Sequence, residues 1–178
     1  MLCLTNGKKF KPLKQLIFYK NSKIYHFDIM LIAHFLSAIL IVLDQLSKNF
    51  IIQHKDNQIL RSIKIPNVFE LTTSWNSGIS FGIFANLEYA NNLILIINGI
   101  AISQIYLFAL KKVRKPAFLA YFVILAGAIS NLIDRVLHCA VFDFINFCPK
   151  GNSLLIFNFS DVLIFVGIFW AIAHKLRD

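Results

Sequence analysis

Four stretches of the chain stay almost free of polar side chains long enough to cross a bilayer, and the polar positions gather between them. A helix crossing about 30 Å of hydrocarbon at about 1.5 Å per residue needs roughly 20 mostly apolar residues. Ile29–Ile52, Leu93–Leu110, Ala117–Leu137 and Leu154–His174 meet that requirement. Between the first two, Val68-Phe69-Glu70-Leu71-Thr72-Thr73-Ser74-Trp75 alternates and is rich in strand formers, which predicts a small β element at the membrane surface. The segment 138–153, with Phe144, Phe147, Pro149 and Gly151, is expected to be a loop near the interface. The pattern predicts an all-α integral membrane protein of four transmembrane helices with a small extracytoplasmic β element. Residues 1–28 form a basic N-terminal tail without an apolar core long enough for a cleavable signal peptide, and 29–178 form one membrane domain without internal repeats.

Composition agrees. Of 178 residues, 57% are hydrophobic and 15% charged, with mean hydropathy +0.65, which argues against both a soluble enzyme and a disordered chain. A net charge of +9 would suit nucleic acid in a soluble protein, but the placement of the charges argues otherwise. Lys8, Lys9, Lys11, Lys14, Lys20 and Lys23 precede the first span, Lys111, Lys112, Arg114 and Lys115 fill one short gap, and Lys175 and Arg177 follow the last span. Only Lys55, Arg61, Lys64 and Lys150 flank the spans on the other side, so both termini are expected in the cytoplasm and no nucleic acid as a partner.

Cys3, Cys139 and Cys148 lack metal-ligand spacing, and the five histidines are scattered, so no metal site is legible. Cys139 and Cys148 share one external segment, which leaves a disulfide and free thiols both open.

The chemistry lies in polar residues placed where a bilayer makes them costly, from about 2.5 kcal/mol upward for a charge at mid-depth. Asp44 and Lys48 are four apart on one helical face, as an ion pair or as a helix end snorkelling to the interface. Asn131, Asp134 and Arg135 form a polar stripe beside the small residues Gly127, Ala128 and Ser130, with Asp134 taken as architectural. Asn158 and Asp161 stand one turn apart in the fourth span, with Asp161 about 10 Å inside it and no basic residue within a turn. The nearest unassigned acid is Asp143, just beyond the third span. Two carboxylates sharing a site do not both ionise cheaply, so such a pair is an acid and a base held together, able to hydrolyse an amide through water.

With these residues in place the chain resembles bacterial lipoprotein signal peptidase, the signal peptidase II family. The likeness runs from about residue 29 to 175 and rests on five segments in order: Asp44-Gln45-Leu46-Ser47-Lys48; Asn76-Ser77-Gly78-Ile79-Ser80-Phe81-Gly82; Gly127-Ala128-Ile129-Ser130-Asn131-Leu132-Ile133-Asp134-Arg135; Val141-Phe142-Asp143-Phe144; and Phe157-Asn158-Phe159-Ser160-Asp161. It implies a membrane aspartyl endopeptidase with Asp143 and Asp161 as the catalytic dyad and Asp44, Lys48, Asn76, Gly78, Asn131, Arg135 and Asn158 lining or supporting the site. It implies no metal or cofactor, a diacylglyceryl-modified prolipoprotein as substrate cut just before the lipidated cysteine, contact with membrane lipid, a monomer, and a bacterial inner membrane location with the site toward the outer face. The family pattern usually has Gly at positions 126 and 130 and Ala at 80 and 160, where this chain has Ala126, Ser130, Ser80 and Ser160.

Two other classes compete. A small transporter would use the same acids as relay groups, but would spread them through the membrane depth. An assembly protein would use Asn131 and Asn158 to glue helices, but leaves Asp143 and Asp161 unexplained.

Overall fold

The computed structural model describes residues 13–54, 56, 63–78, 90–111 and 117–177, with side chains from Phe27 in the first helix and from Asn91 in the second. Cys3, Lys8, Lys9, Lys11, Lys55, Arg61, Lys112, Arg114 and Lys115 lie outside these. Helix α1 is Leu13–Gln53, α2 Ala90–Leu110, α3 Phe118–His138 and α4 Phe159–Lys175. No glycine or proline interrupts the 41 residues of α1, so the basic tail from Leu13 onward continues into the apolar run as one helix. Among the described residues, Phe27–Gln53, Asn91–Leu110 and Phe118–His138 are long and apolar enough to cross a membrane.

The fourth span departs from expectation. Leu155–Phe157 pairs as a strand, Asn158 caps the next helix, and α4 therefore begins at Phe159 and has 17 residues, about 25 Å of length. That lies at the short end of the spanning range.

The expectation of a loop over 138–153 is also corrected, because Val141–Phe147, seven of its sixteen residues, is strand. Helix α3 stops where Cys139 takes the left-handed conformation (φ 56°) and donates its N–H to the Arg135 carbonyl at 3.0 Å. Strand β3, Val141–Phe147, begins two residues later. Its apolar positions sit on both faces, the mark of a central strand, and this hid it beside the Pro-Gly turn that follows. The strand expected over 68–75 is β2, Phe69–Asn76, preceded by β1, Lys64–Ile65, and the sheet is completed by β4, Leu155–Phe157. The order is β1-β2-β3-β4, each pair antiparallel, with Ser74 opposite Asp143 and Asn76 opposite Val141.

Helix α3 is central and packs against α1, α2 and α4. Phe118, Phe122 and Leu125 of α3 meet Ala33 of α1 and Ala109 of α2 in one buried cluster, and Val123 and Ala126 meet Leu163 of α4 in another. The α3–α4 contact is close: a Cβ on Gly127 would overlap the Ser160 carbonyl oxygen. Outward faces carry Phe35, Val42 and Leu46 on α1, Ile96 and Ile100 on α2, and Phe165 and Phe169 on α4, all exposed. An apolar rim around a packed interior suits hydrocarbon as solvent.

Candidate active site

Five elements, α1, β2, α3, β3 and α4, converge at the junction of sheet and helices. Strand β3 carries Asp143 between Phe142 and Phe144, with all three buried. Helix α4 carries Asp161 at its third position, one turn from the end of β4. Asp161 is therefore not deep in a span, as its position in the apolar run suggested, but part of a capping box. The Asn158 Oδ1 accepts from the Asp161 N–H at 3.0 Å, and the Asp161 Oδ2 accepts from the Asn158 N–H at 3.2 Å. This arrangement satisfies first-turn donors and favours negative charge at the helix start.

Asn158, fully buried, also reaches the other acid, donating from Nδ2 to Asp143 Oδ1 at 2.7 Å and to Asn131 Oδ1 at 3.1 Å. Asn131 donates to Asp161 Oδ1 at 2.9 Å, and Asn76 donates to Asp143 Oδ2 at 3.2 Å. Each of the four carboxylate oxygens thus accepts one N–H, three from asparagine side chains and one from backbone.

Behind the pair lies an ion cluster. Lys48 Nζ is 2.7 Å from Asp44 Oδ2 and 2.7 Å from Asp134 Oδ2, and donates to Asn131 Oδ1 at 3.1 Å. Lys48 is 2% exposed and Asp44 0%, so the snorkelling alternative does not hold: the ammonium turns inward, where two carboxylates offset its desolvation. Gln45 donates to Asp134 Oδ1 at 2.8 Å and to Ser130 Oγ at 3.0 Å, and Ser130 donates to Asp44 Oδ2 at 2.7 Å.

Arg135 is buried and donates to the carbonyls of Ser77 and Gly78, fixing the chain that leaves β2, while Gly78 N–H donates to Asn76 Oδ1 at 3.1 Å. Its hydrogen bonds go to peptide carbonyls, and Asp143, Asp134 and Asp161 act on it through space. The residues Ile79, Ser80, Phe81 and Gly82 of the same motif lie outside the described residues.

All nine residues singled out in the sequence therefore join one hydrogen-bonded network. Gln45 and Ser130 join the same network without being among the expected site residues, although a glutamine inside a span is itself a polar residue in costly surroundings. Asp134, expected to be architectural, pairs with Lys48 and also accepts from Gln45 and the Phe142 N–H. Cys139 and Cys148 are free thiols, the first exposed and the second buried.

Burial pushes the Asp143 carboxyl up to about 6, and the Asp161 carboxylate pushes the same way, against the amides of Asn76 and Asn158 and the more distant Lys48. A carboxyl so placed keeps or gives up a proton near neutrality, which acid–base chemistry requires. The arrangement brings two carboxyl groups together across the Asn158 amide, one of them able to keep or give up a proton near neutrality.

Comparison with known proteins finds relatives of the chain. Residues 36–177 match the family model described as signal peptidase (SPase) II, a stretch that contains every site residue named above. The chain is 34% identical over 130 residues to the lipoprotein signal peptidase of Rickettsia conorii, covering 72% of this chain and 65% of that protein. It is 35% identical over 130 residues to the lipoprotein signal peptidase of Rickettsia prowazekii, covering 72% and 67%. The match thus spans about two thirds of the length of these relatives. Its fold is similar to a bacterial membrane enzyme solved by the in meso method at 2.3 Å, with TM-score 0.67 and 26% identity over 82% of this chain and 88% of that one. A second such structure, at 1.9 Å, gives TM-score 0.63 and 25% identity over 82% and 93%.

Proposed function

The chain belongs to the signal peptidase II family, a family of aspartic proteases, and from that premise we propose that it removes signal peptides from diacylglyceryl-modified prolipoproteins, cutting just before the lipidated cysteine. The observation that carries the reading is the Asn158 side chain and peptide, which tie Asp143 on β3 to Asp161 on α4. Residues from two elements, each costly to bury alone, are brought to one place and given donors on every oxygen.

In this reading Asp161 is the ionised partner. It sits at a helix N-terminus with the N–H of Asn158 on one oxygen and Asn131 on the other, and Asn131 in turn accepts from Lys48. Asp143, on a strand without such a dipole, holds the shared proton. Asp161 draws a proton from the water between the pair as the oxygen attacks the scissile carbonyl, and Asp143 donates to the developing oxyanion. The proton taken by Asp161 then goes to the leaving amine as the C–N bond breaks, and the hydroxyl formed from the carbonyl oxygen returns its proton to Asp143 as the carboxyl product forms. No metal or cofactor enters this scheme. Arg135 steadies the strand exit where Asn76 and Gly78 face the scissile segment.

The finer topology is part of the proposal. All four helices span, α4 by its 17 residues with the sheet at the outer surface. Both termini face the cytoplasm, as the positive charges argue, and the site faces outward. The substrate's signal helix enters laterally as its acyl chains stay in lipid, and one chain suffices for catalysis.

The test is cleavage of a diacylglyceryl-modified prolipoprotein peptide by purified protein in detergent, with chelator present, for the parent, Asp143→Asn and Asp161→Asn. Chelator-resistant cleavage by the parent, lost by at least about 100-fold in both variants, is expected. Parent-like cleavage by either folded variant would overturn the dyad.

A further inference from the structure

The backbone N–H immediately before each acid of the pair is held by a carboxylate of the ion cluster. Asp44 Oδ1 accepts from Ser160 N–H at 2.9 Å, and Ser160 precedes Asp161. Asp134 Oδ2 accepts from Phe142 N–H at 3.3 Å, and Phe142 precedes Asp143. The same two carboxylates share one ammonium, Lys48, at 2.7 Å each. From α1 and α3, two acids thus grip the peptides that carry the dyad, and one cation bridges the grips.

We propose that Asp134, with Asp44 and Lys48, is a positioning residue that sets the spacing of the Asp143–Asp161 pair through the Phe142 and Ser160 amides. The inference rests on the dyad reading above and deepens it. The first alternative for Asp134, plain architecture, needs only a partner for the cation. It does not account for an acceptor aimed at the peptide beside each acid. Buried polar groups must be satisfied somewhere, but both amides here are satisfied by side chains that meet at one point. Gln45 completes the grip on the α3 side by holding Asp134 Oδ1 at 2.8 Å.

Misplacing reacting groups by about 1 Å costs on the order of 100-fold in rate, and that sets the expected effect. The decisive comparison is Asp134→Ala against Asp134→Asn in full-length protein in detergent. Both remove the negative charge, but the asparagine oxygen still accepts from Phe142 N–H. With the diacylglyceryl-modified peptide, Asp134→Ala is expected to lose about 100-fold in kcat with KM within about threefold, and Asp134→Asn to recover at least about tenfold of that. The width of the kcat–pH bell gives a second readout. Two acids held close split their apparent titrations, so a loosened pair gives a narrower bell, whereas a smaller folded fraction lowers the curve without narrowing it. The charged groups facing the pair are Asp44 and Lys48 from α1 and Asp134 and Arg135 from α3, and only Asp134 changes. Should Asp134→Ala not fold, Gln45→Met carries the same test with the ion pairs intact: a lowered kcat with a narrowed bell supports the proposal, and a parent-like profile overturns it. Parent-like kcat and bell width in Asp134→Ala, or an asparagine variant no better than the alanine, also overturns it. Asp143→Asn and Asp161→Asn run alongside. Activity in either defeats the dyad reading itself, whereas inactivity in both beside a parent-like Asp134→Ala defeats only the positioning role.

Discussion

The close approach of α3 and α4 allows activity and stability to be separated by one methyl group. At Gly127 a Cβ would overlap the Ser160 carbonyl oxygen and stand 2.8 Å from Ile164 Cγ1 and 3.2 Å from Ile164 N. Ordinary carbon contacts begin near about 3.5 Å, and a backbone oxygen, unlike a side chain, does not rotate away. Gly127→Ala must therefore push the start of α4 outward by roughly 1 Å. The displaced peptide is the one before Asp161, so the expected loss in kcat is about 100-fold, or about 2.7 kcal/mol of barrier. Overpacking costs about 1–3 kcal/mol of stability, offset by about 1 kcal/mol from replacing a helical glycine. Gly167→Ala is the matched control. Its Cβ would meet Ile124 Cγ1 at 2.6 Å and Ala120 O at 2.9 Å, a similar crowding with a side chain nearest, but six residues past Asp161 and so about 9 Å further along α4. It should show a similar stability change with kcat within about threefold of the parent. The assay is peptide cleavage per folded enzyme in detergent, with melting temperature measured on the same samples. Parent-like kcat in Gly127→Ala would refute the transmission of a helix shift to the pair, as would an equal loss in Gly167→Ala.

Asn158→Ala removes both the helix cap and the bond to Asp143 Oδ1, so it should lose about 1 kcal/mol of stability and most activity, while Asn158→Asp keeps the cap but adds a third carboxylate and should stay inactive at neutral pH; an active Asn158→Asp would argue against the amide's role. The raised Asp143 titration predicts a pH dependence of stability with a definite sign. Between the ordinary carboxylate range and about 6 the folded chain keeps a proton that the unfolded chain has lost, so stability falls as pH rises through that window and then levels. Thermal unfolding from pH 4 to 7 should show that decline in the parent and a flatter curve in Asp143→Asn; identical curves would refute the assignment. Ser130→Ala leaves Asp44 Oδ2 without its hydroxyl donor in a fully buried position and should cost about 1–3 kcal/mol, read by the same unfolding measurement, and an unchanged melting temperature would show that the hydroxyl contributes nothing.

The helices were legible because hydrocarbon imposes a length and a composition that survive in the one-dimensional pattern. The site residues were legible for the complementary reason: Asp44, Lys48, Asn131 and Asn158 contradict their apolar surroundings. Strand β3 was missed because both of its faces are covered, so Val141–Phe147 lacks the simple alternation of an edge strand and shares its composition with an interfacial loop. The same ambiguity absorbed Leu155–Phe157 into the fourth helix, since a three-residue strand of Leu, Ile and Phe is indistinguishable by pattern from helical continuation. Asn158 carried the correcting signal. An asparagine followed three residues later by an acid marks a helix start, and reading it so would have placed Asp161 in the first turn. Lys48's second carboxylate could not be found from spacing, because Asp134 comes from another helix 86 positions away and only packing of α1 on α3 brings them together.

Charge accounting links the cluster to the chemistry proposed for the pair. Four carboxylates, Asp44, Asp134, Asp143 and Asp161, gather about two cations, Lys48 and Arg135. Lys48 lies between Asp44 and Asp134, and its hydrogen-bonded link to Asp161 runs through the Asn131 amide. Arg135 gives its hydrogen bonds to the Ser77 and Gly78 carbonyls. Neither cation makes a salt bridge with Asp143 or Asp161. Had Lys48 or Arg135 bonded the pair directly, both acids would ionise and neither would remain to donate a proton. In the proposed mechanism, cations held at this remove, Lys48 behind Asn131 and Arg135 behind the Ser77 and Gly78 peptides, leave positive potential near two buried acids without ionising both. The asparagines make that distance possible: Asn131 and Asn158 carry donors to the acids without carrying charge, so in the proposed mechanism the pair is oriented by dipoles and shares one proton.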